Sequence, residues 1–412
     1  MLGGRWTAGR CAAAGACLAA SLAWGGATAR AAETPPAPPA IAAPSAVLAD
    51  AASGRVLFQH GGDVVRPPAS MTKIMTLVLA VQALRSGRVR WGDLVAASDE
   101  AYRTGGSQIW LEPGEVLPFG QLLTAVAVGS ANDAAVAIAE HLAGSETAFV
   151  AEMNAMAARL GMRATHFVNA SGLDGPGQAT RTTALDMARL GAYAAGMPEL
   201  VRLTSRREDR SLRDGRGGHL WLVNTNRLLG QVPGVDGLKT GYTAAAGFCL
   251  TATARRDGLR LVAVVMGAPT SRARFETAAS LLNWGFAHYR AVYAARAGQP
   301  LAQVAVRGGR AAWVAVGPAH DVAFALPRGE KAQWARRLRL TSAAEAPVRA
   351  GQHLGSLTVE GPDGVRQVAV VALTAVPRAT AWDVVRRLTA WWRGAARAAG
   401  APSRLDIPTG VY

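Results

Sequence analysis

The sequence predicts an α/β (α+β) fold: an antiparallel sheet flanked by helices with a helical subdomain, then a small all-β domain, then a C-terminal amphipathic helix. Three observations carry that reading. Strand-like runs open and close the segment 46–292 around a helical middle, the pattern of a sheet with helices segregated against it. From about Gln299 the texture changes to short alternating apolar runs separated by turn residues such as Gly308-Gly309 and Pro362-Asp363-Gly364, which reads as strands joined by tight connections. From Ala381 the apolar residues recur with the period of a helix.

In chain order, residues 46–50 and 54–59 read as two strands joined by a turn at Ala52-Ser53-Gly54. Pro67-Pro68 ends an extended stretch, and a helix follows from near Ser70 into the apolar run 74–81. Residues 122–142 form an Ala-rich helical region broken by Gly129-Ser130-Ala131-Asn132, residues 149–160 a further helix, 165–180 a loop rich in Gly and Asn, and another helix starts near Asp186. Strands return at 235–240, 247–254 and 259–266, the last two joined by Arg256-Asp257-Gly258, a hairpin turn. An amphipathic helix over 275–289 closes the unit. The all-β segment, 296–376, contributes apolar runs at 304–306, 313–316, 322–326, 338–340, 357–359 and 368–371.

With 412 residues the chain has room for two or three folded units. Residues 1–32 read as a secretory signal: Arg5 and Arg10 form the basic start, 11–24 the apolar stretch, and Ala27-Thr28-Ala29 or Ala29-Arg30-Ala31 the cleavage site. That apolar stretch is shorter than the ~20 residues a membrane span needs. Residues 33–45 form a Pro-rich linker. Cys11 and Cys17 leave with the signal, so Cys249 alone remains; an internal disulfide and a cysteine zinc cluster are excluded, and no His-Glu or Cys-Cys metal spacing occurs elsewhere. No cofactor or metal is expected. The net charge is +16. In an exported chain it points to an anionic membrane surface or wall polymer rather than to nucleic acid. Over 380–398, Trp382, Val384, Val385, Leu388, Trp391 and Trp392 fall on one side of a helix and Asp383, Arg386, Arg387, Arg393 and Arg397 on the other. That pattern fits a helix lying in a membrane interface, which would hold the protein peripherally at the extracytoplasmic face of the cell membrane.

The chemistry begins at Ser70 and Lys73. Three residues apart on a helix, their side chains share one face. A serine hydroxyl is a weak nucleophile until a base takes its proton, and a lysine serves when burial lowers its pKa. Only three of the 44 basic residues are lysines, Lys73, Lys239 and Lys331; the rest are arginines. Arginine stays protonated, so a lysine kept in so arginine-rich a chain marks chemistry that guanidinium cannot do. Two further polar motifs stand out. Ser130-Ala131-Asn132 interrupts an apolar helical stretch, and Lys239-Thr240-Gly241 ends a strand.

Ser-x-x-Lys, Ser-x-Asn and Lys-Thr-Gly in this order form the signature of penicillin-binding proteins and class A β-lactamases. With Phe167 to Asp174, the run from Asn224 to Thr243, the β domain and the amphipathic tail, nearly the whole chain resembles the low-molecular-mass penicillin-binding proteins, the serine-type D-Ala-D-Ala carboxypeptidases of peptidase family S11. The resemblance implies a serine β-lactamase/transpeptidase-like catalytic domain over 46–292. It implies peptidoglycan stem peptides as substrates and β-lactams as covalent inhibitors. By the chemistry and the resemblance together, Ser70 would be the nucleophile, Lys73 its base, and Ser130 the relay to the leaving amine. Asn132 binds the substrate amide and holds Lys73. Lys239 and Thr240 would meet the terminal carboxylate, with Gly241 and Tyr242 beside them in the substrate-binding strand. The main-chain N–H groups of Ser70 and Tyr242 form the oxyanion hole. Arg274 aligns with an arginine used for the same carboxylate, and Arg272 stands two residues away as the other choice. The loop 177–183 is slightly longer than the family's form. Three rivals remain: an endopeptidase or transpeptidase on crosslinked peptides, a class A β-lactamase, and a non-catalytic wall-binding protein. The β-lactamase would need a deacylating glutamate after the second motif, and none occurs from Met153 to Pro198.

Overall fold

The structure is a computed structural model and describes residues 38–175, 179–213, 218–362, 364–383, 385, 386 and 389. The expected secretory signal, residues 33–37 of the expected linker, part of the 177–183 loop and most of the 380–398 helix lie outside the described residues.

The first strands are β1 (Ser45–Asp50) and β2 (Val56–His60). A tight 3-10 turn, Ala69–Thr72, leads into α1 (Lys73–Arg85). Then come β3 (Leu94–Ala96), α2 (Asp99–Arg103), β4 (Val116–Pro118) and α3 (Phe119–Thr124). A π turn, Ala125–Gly129, follows α3, and α4 (Asn132–Ala143), α5 (Glu146–Arg159), α6 (Ala184–Ala195) and α7 (Pro198–Thr204) complete the helical part. A hairpin of β5 (Glu208–Arg213) and β6 (His219–Val223) precedes β7 (Val235–Thr243), β8 (Gly247–Arg256), β9 (Leu259–Ala268) and α8 (Ser271–His288).

The main sheet has the order β2-β1-β9-β8-β7 and is antiparallel throughout. Alternation along its strands sorts side chains to two faces. Val47, Ala49, Val262 and Val264 join the core shared with α1, α4 and α6, while Ala46, Leu48, Leu261, Ala263 and Val265 pack on α8. Central strands buried on both faces explain the nearly continuous apolar runs. The β8–β9 turn places Asp257 and Gly258 at φ 47° and 82°, the left-handed pair that a two-residue hairpin requires.

The all-β part consists of β10 (Tyr289–Ala295), β11 (Ala302–Arg307), β12 (Trp313–Pro318), β13 (Val322–Pro327), β14 (Ala335–Leu340), β15 (Ala343–Glu345), β16 (His353–Gly361) and β17 (Gly364–Ala372). β10 pairs with β13, and a second sheet runs β14-β16-β17-β12-β11-β15 around Val316, Phe324, Val359 and Val370. Arg366 ties the two parts together. It reaches Asp50 at 3.5 Å, stacks over Phe324 and donates to the Ala323 carbonyl.

Three local expectations change. Ser70 is in the 3-10 turn, and the α-helix starts at Lys73. Pro67 and Pro68 carry no N–H, and Ala69 takes φ 49°, so a regular helical turn does not form there. β7 runs on through Thr243, which puts Lys239-Thr240-Gly241 within the strand rather than at its end. The last helix of the unit stops at His288, and Tyr289 already belongs to β10.

Candidate active site

The site forms where four segments meet: the 3-10 turn with α1, the π turn with α4, the loop 167–174, and the edge strand β7. α1 enters the core over Lys73 to Val81, all of them buried, and a helix segment buried on every side fixes the depth of Lys73. β7 reaches the turn because Gly241 has no side chain; a Cβ there would sit 2.5 Å from the Pro68 carbonyl oxygen. Gly172, at φ 76°, brings the 167–174 loop against the same turn, where a Cβ would sit 2.0 Å from the Ala69 carbonyl oxygen.

Lys73 is fully buried. Its Nζ is 2.5 Å from Asn132 Oδ1, 2.7 Å from the Ser171 carbonyl oxygen and 3.0 Å from Ser70 Oγ. The amide oxygen and the carbonyl can only accept, so they take two N–H bonds. The third direction faces Ser70. In a neutral amine that direction holds the lone pair, which accepts the serine proton. Burial holds the Lys73 pKa well below its ordinary value; the charge of Lys239 pushes the same way and Asp133 opposes it. The site therefore contains a serine hydroxyl in contact with an amine driven toward its basic form.

Ser130 projects from a forced backbone. The π turn ends at it with φ 64°, a left-handed conformation costing a non-glycine residue of order 1 kcal/mol or more. Asn132 starts α4. Its N–H donates to the Ser107 carbonyl at 2.7 Å and its Nδ2 to the Gly105 carbonyl at 2.8 Å, which leaves Oδ1 for Lys73.

On β7, Lys239 and Thr240 are buried. Lys239 Nζ donates to the Thr240 carbonyl at 3.1 Å. Burial and the Arg274 charge lower its pKa to about 7. Thr240 Oγ1 is 2.6 Å from Thr225 Oγ1. Arg274 extends from α8 across the sheet and donates to the carbonyls of Gly241 and Cys249 at 3.2 Å each and to Ser271 Oγ at 3.1 Å. Its ring neighbours are Phe248 and Phe275, its Nε is buried without a partner, and burial lowers its pKa to about 10. Arg272 points to solvent in an ion pair with Glu276 at 2.6 Å. Tyr242 is exposed and stacks on Phe248 with ring centres 4.4 Å apart.

The structure thus places Ser70, Lys73, Ser130, Asn132, Lys239, Thr240, Gly241, Tyr242 and Arg274 on the four converging segments and in α8 behind them, with Arg272 directed away. Residues given no individual role from the sequence also contribute. The Ser171 carbonyl holds Lys73, and Thr225 holds Thr240. The Glu146 carboxylate accepts the Ala170 N–H at 2.8 Å. Thr76 Oγ1 donates to the Ala170 carbonyl at 2.6 Å. Asp133 anchors the 105–111 loop, whose carbonyls orient Asn132. Among the described residues no group of three or more His, Cys, Asp or Glu side chains could hold a metal ion.

Comparison with known proteins gives this geometry a family. Residues 31–270 match the peptidase S11 family, described as D-alanyl-D-alanine carboxypeptidase. The chain belongs to that family. Residues 289–378 match the C-terminal domain of penicillin-binding protein 5. The D-alanyl-D-alanine carboxypeptidase DacF of Bacillus subtilis is 37% identical over 314 residues, covering 76% of this chain and 80% of the relative. DacA of Escherichia coli is 35% identical over 343 residues, covering 80% and 82%. Penicillin-binding protein 5 from Haemophilus influenzae superposes with a TM-score of 0.63 at 31% identity, over 83% of this chain and 99% of that one. Penicillin-binding protein D2 from Listeria monocytogenes, solved in its ampicillin-bound form, superposes with a TM-score of 0.54 at 32% identity, over 60% and 98%. This S11 carboxypeptidase carries the catalytic domain first and the all-β C-terminal domain after it.

Proposed function

We propose that the chain removes the terminal D-alanine from peptidoglycan stem peptides through an acyl-enzyme on Ser70. The observation that carries the reading is the Lys73 amine, fully buried, with two of its directions spent on acceptors and the third on Ser70 Oγ. Ser70 Oγ attacks the carbonyl between the two D-alanines as its proton passes to Lys73 Nζ, and the Oγ–C bond forms. The N–H groups of Ser70 and Tyr242 receive the developing oxyanion; a donor so placed is worth about 2.7–4 kcal/mol. The C–N bond then breaks, and the leaving amine takes a proton relayed by Ser130. Lys73 next withdraws a proton from water, which cleaves the ester and restores Ser70.

The terminal carboxylate meets Lys239, Thr240 and Arg274. Lys239 Nζ spends one donor on the Thr240 carbonyl, so others remain for an anion. The partnerless Nε of Arg274 supports the same assignment, and its buried position favours it over the solvent-facing Arg272. A β-lactam enters by the same attack on its ring amide. No glutamate lies between Met153 and Pro198 to speed its release.

The protein acts outside the cytoplasm, held at the membrane by the tail helix and its arginines. Thr380 Oγ1 and Asp383 hydrogen-bond reciprocally at the start of that helix, a capping pair that begins a helix at Ala381. Among the described residues no helix is long and apolar enough to cross a membrane.

Product analysis with purified stem peptides tests the reading. Release of D-alanine from a pentapeptide ending in D-Ala-D-Ala is the expected result, and Ser70→Ala abolishes both that release and covalent penicillin labelling. Cleavage confined to crosslinked dimers transfers the site to the endopeptidase reading, and labelling that survives Ser70→Ala removes Ser70 as nucleophile.

A further inference from the structure

Asp133 is a buried carboxylate that the mechanism above does not use. It is the second residue of α4, next to Asn132, and is fully buried. Its partners are all main-chain N–H groups: Ile109 at 3.2 and 3.0 Å, Leu111 at 3.1 Å, and Ala134 at 2.8 Å. Two of them belong to the loop after α2 that presents the Gly105 and Ser107 carbonyls to Asn132. The residue between these donors, Trp110, has φ 59°, a left-handed conformation unfavourable for a bulky residue. The loop is thus shaped around the carboxylate. Gly106 closes the fit, since a Cβ there would sit 2.5 Å from Asn132 Nδ2.

We infer that Asp133 is a positioning residue for the acylation base: by anchoring the 105–111 loop it fixes Asn132, and through Asn132 Oδ1 it fixes Lys73 Nζ on Ser70. This rests on the reading of Lys73 as base. The chain of contacts is continuous, from Asp133 to the Ile109 and Leu111 N–H groups, along the loop to the Gly105 and Ser107 carbonyls, to Asn132, and to Lys73. An asparagine at 133 keeps one acceptor oxygen and turns an NH2 group toward N–H donors, so at least one loop bond is lost. Asp133 also acts by its charge. The charged groups that bear on Lys73 are Lys239 from β7, which lowers its pKa, and Asp133 from α4, which raises it; Arg274 from α8 acts on Lys239 in turn. Because Lys73 works as the neutral amine, the acylation rate climbs with pH through the Lys73 pKa.

The experiment measures the acylation rate by a fluorescent penicillin on the full chain as a function of pH, scaled to the amount of protein that can be labelled so that only folded molecules count. Asp133→Asn is expected to lower the rate by about 100-fold, the size of a small misplacement of a reacting group, and to move its acid limb to lower pH, because the charge that raises the Lys73 pKa is gone. Asp133→Glu keeps the charge and misplaces the bonds, so the rate falls while the acid limb stays in place. An unmoved limb in Asp133→Asn, or a rate within threefold of the parent in either variant, overturns the inference. If Asp133→Asn yields no folded protein, Asp133→Glu decides alone, by a lowered rate or an unchanged one. A parent protein that is not labelled at all, or whose labelling survives Ser70→Ala, strikes the underlying reading of the site instead.

Discussion

Lys73 Nζ and Asn132 Oδ1 are 2.5 Å apart, and both residues are buried. The Lys73 amine, the proposed base, therefore takes its orientation from α4 and from the loop that orients Asn132, while its backbone belongs to α1. Neither helix alone sets the contact of Lys73 with Ser70, so the proposed nucleophile–base pair depends on both.

Lys73→Arg is the first test of this arrangement. Guanidinium remains protonated at any working pH, so the variant keeps a cation in place and loses the base. Acylation by penicillin is expected to fall by about 10²- to 10⁴-fold, the usual contribution of a positioned acid–base group. A rate within tenfold of the parent would mean that another group accepts the Ser70 proton.

The buried lysines also predict an unusual dependence of stability on pH. The folded-state pKa of Lys239 is about 7, against 10.5 for the free side chain. Between these values the unfolded chain holds a proton that the folded one has released, so stability rises with pH, by at most about 1.4 kcal/mol per unit for one proton. Lys73, shifted in the same direction, adds to the slope. Denaturant midpoints are therefore expected to climb from pH 7 to pH 9.5, and Lys239→Met to climb less steeply. A parent midpoint that falls over this range, or a variant with the parent's slope, contradicts the assignment of a lowered pKa to Lys239.

The same residues show what the sequence made legible. Long apolar runs located α1, β8 and β9, because ten or so residues give periodicity a clear signal. The scarcity of lysine singled out Lys73 and Lys239 before any contact was known. The short elements β3, β4, α2 and α7 left no such signal. The Ser171 carbonyl that holds Lys73 is a backbone atom and has no residue signature. Asp133 stood in plain view beside Asn132, yet its partners are main-chain N–H groups of a loop more than 20 positions away, which only the folded chain brings near. Ser70 was expected on the helix proper, and the tight turn that carries it depends on contacts with Gly172 and Gly241 from distant segments.

Arg274 and Arg272 make a paired prediction. Arg274 is buried between β7, β8 and α8, whereas Arg272 is solvated beside Glu276. Arg274→Ala is expected to weaken binding of a D-Ala-D-Ala peptide by about 10- to 100-fold, the scale of a lost hydrogen bond to a charged group. Its effect on the same peptide with an amidated end should be much smaller. Arg272→Ala should leave KM within twofold for both peptides. Equal losses on free and amidated peptides would reduce Arg274 to a support for the Gly241 and Cys249 carbonyls.

Gly172→Ala tests whether the site depends on close approach of the 167–174 loop. The added methyl would sit 2.0 Å from the Ala69 carbonyl oxygen and 2.5 Å from Thr72 Oγ1, in a backbone with φ 76°. Both obstacles are backbone or buried, so the loop must move rather than a flexible side chain. Moving it carries away the Ser171 carbonyl, which is one of the two acceptors that aim Lys73 at Ser70. Destabilisation of about 2–4 kcal/mol is expected from overpacking and strain together. Acylation should fall even in the fraction that remains folded, because Lys73 loses an acceptor and can turn its lone pair away from Ser70. Thermal unfolding and the penicillin acylation rate per labelled molecule measure the two effects separately. A variant with lowered stability and an unchanged acylation rate would show that Asn132 alone suffices to orient the base.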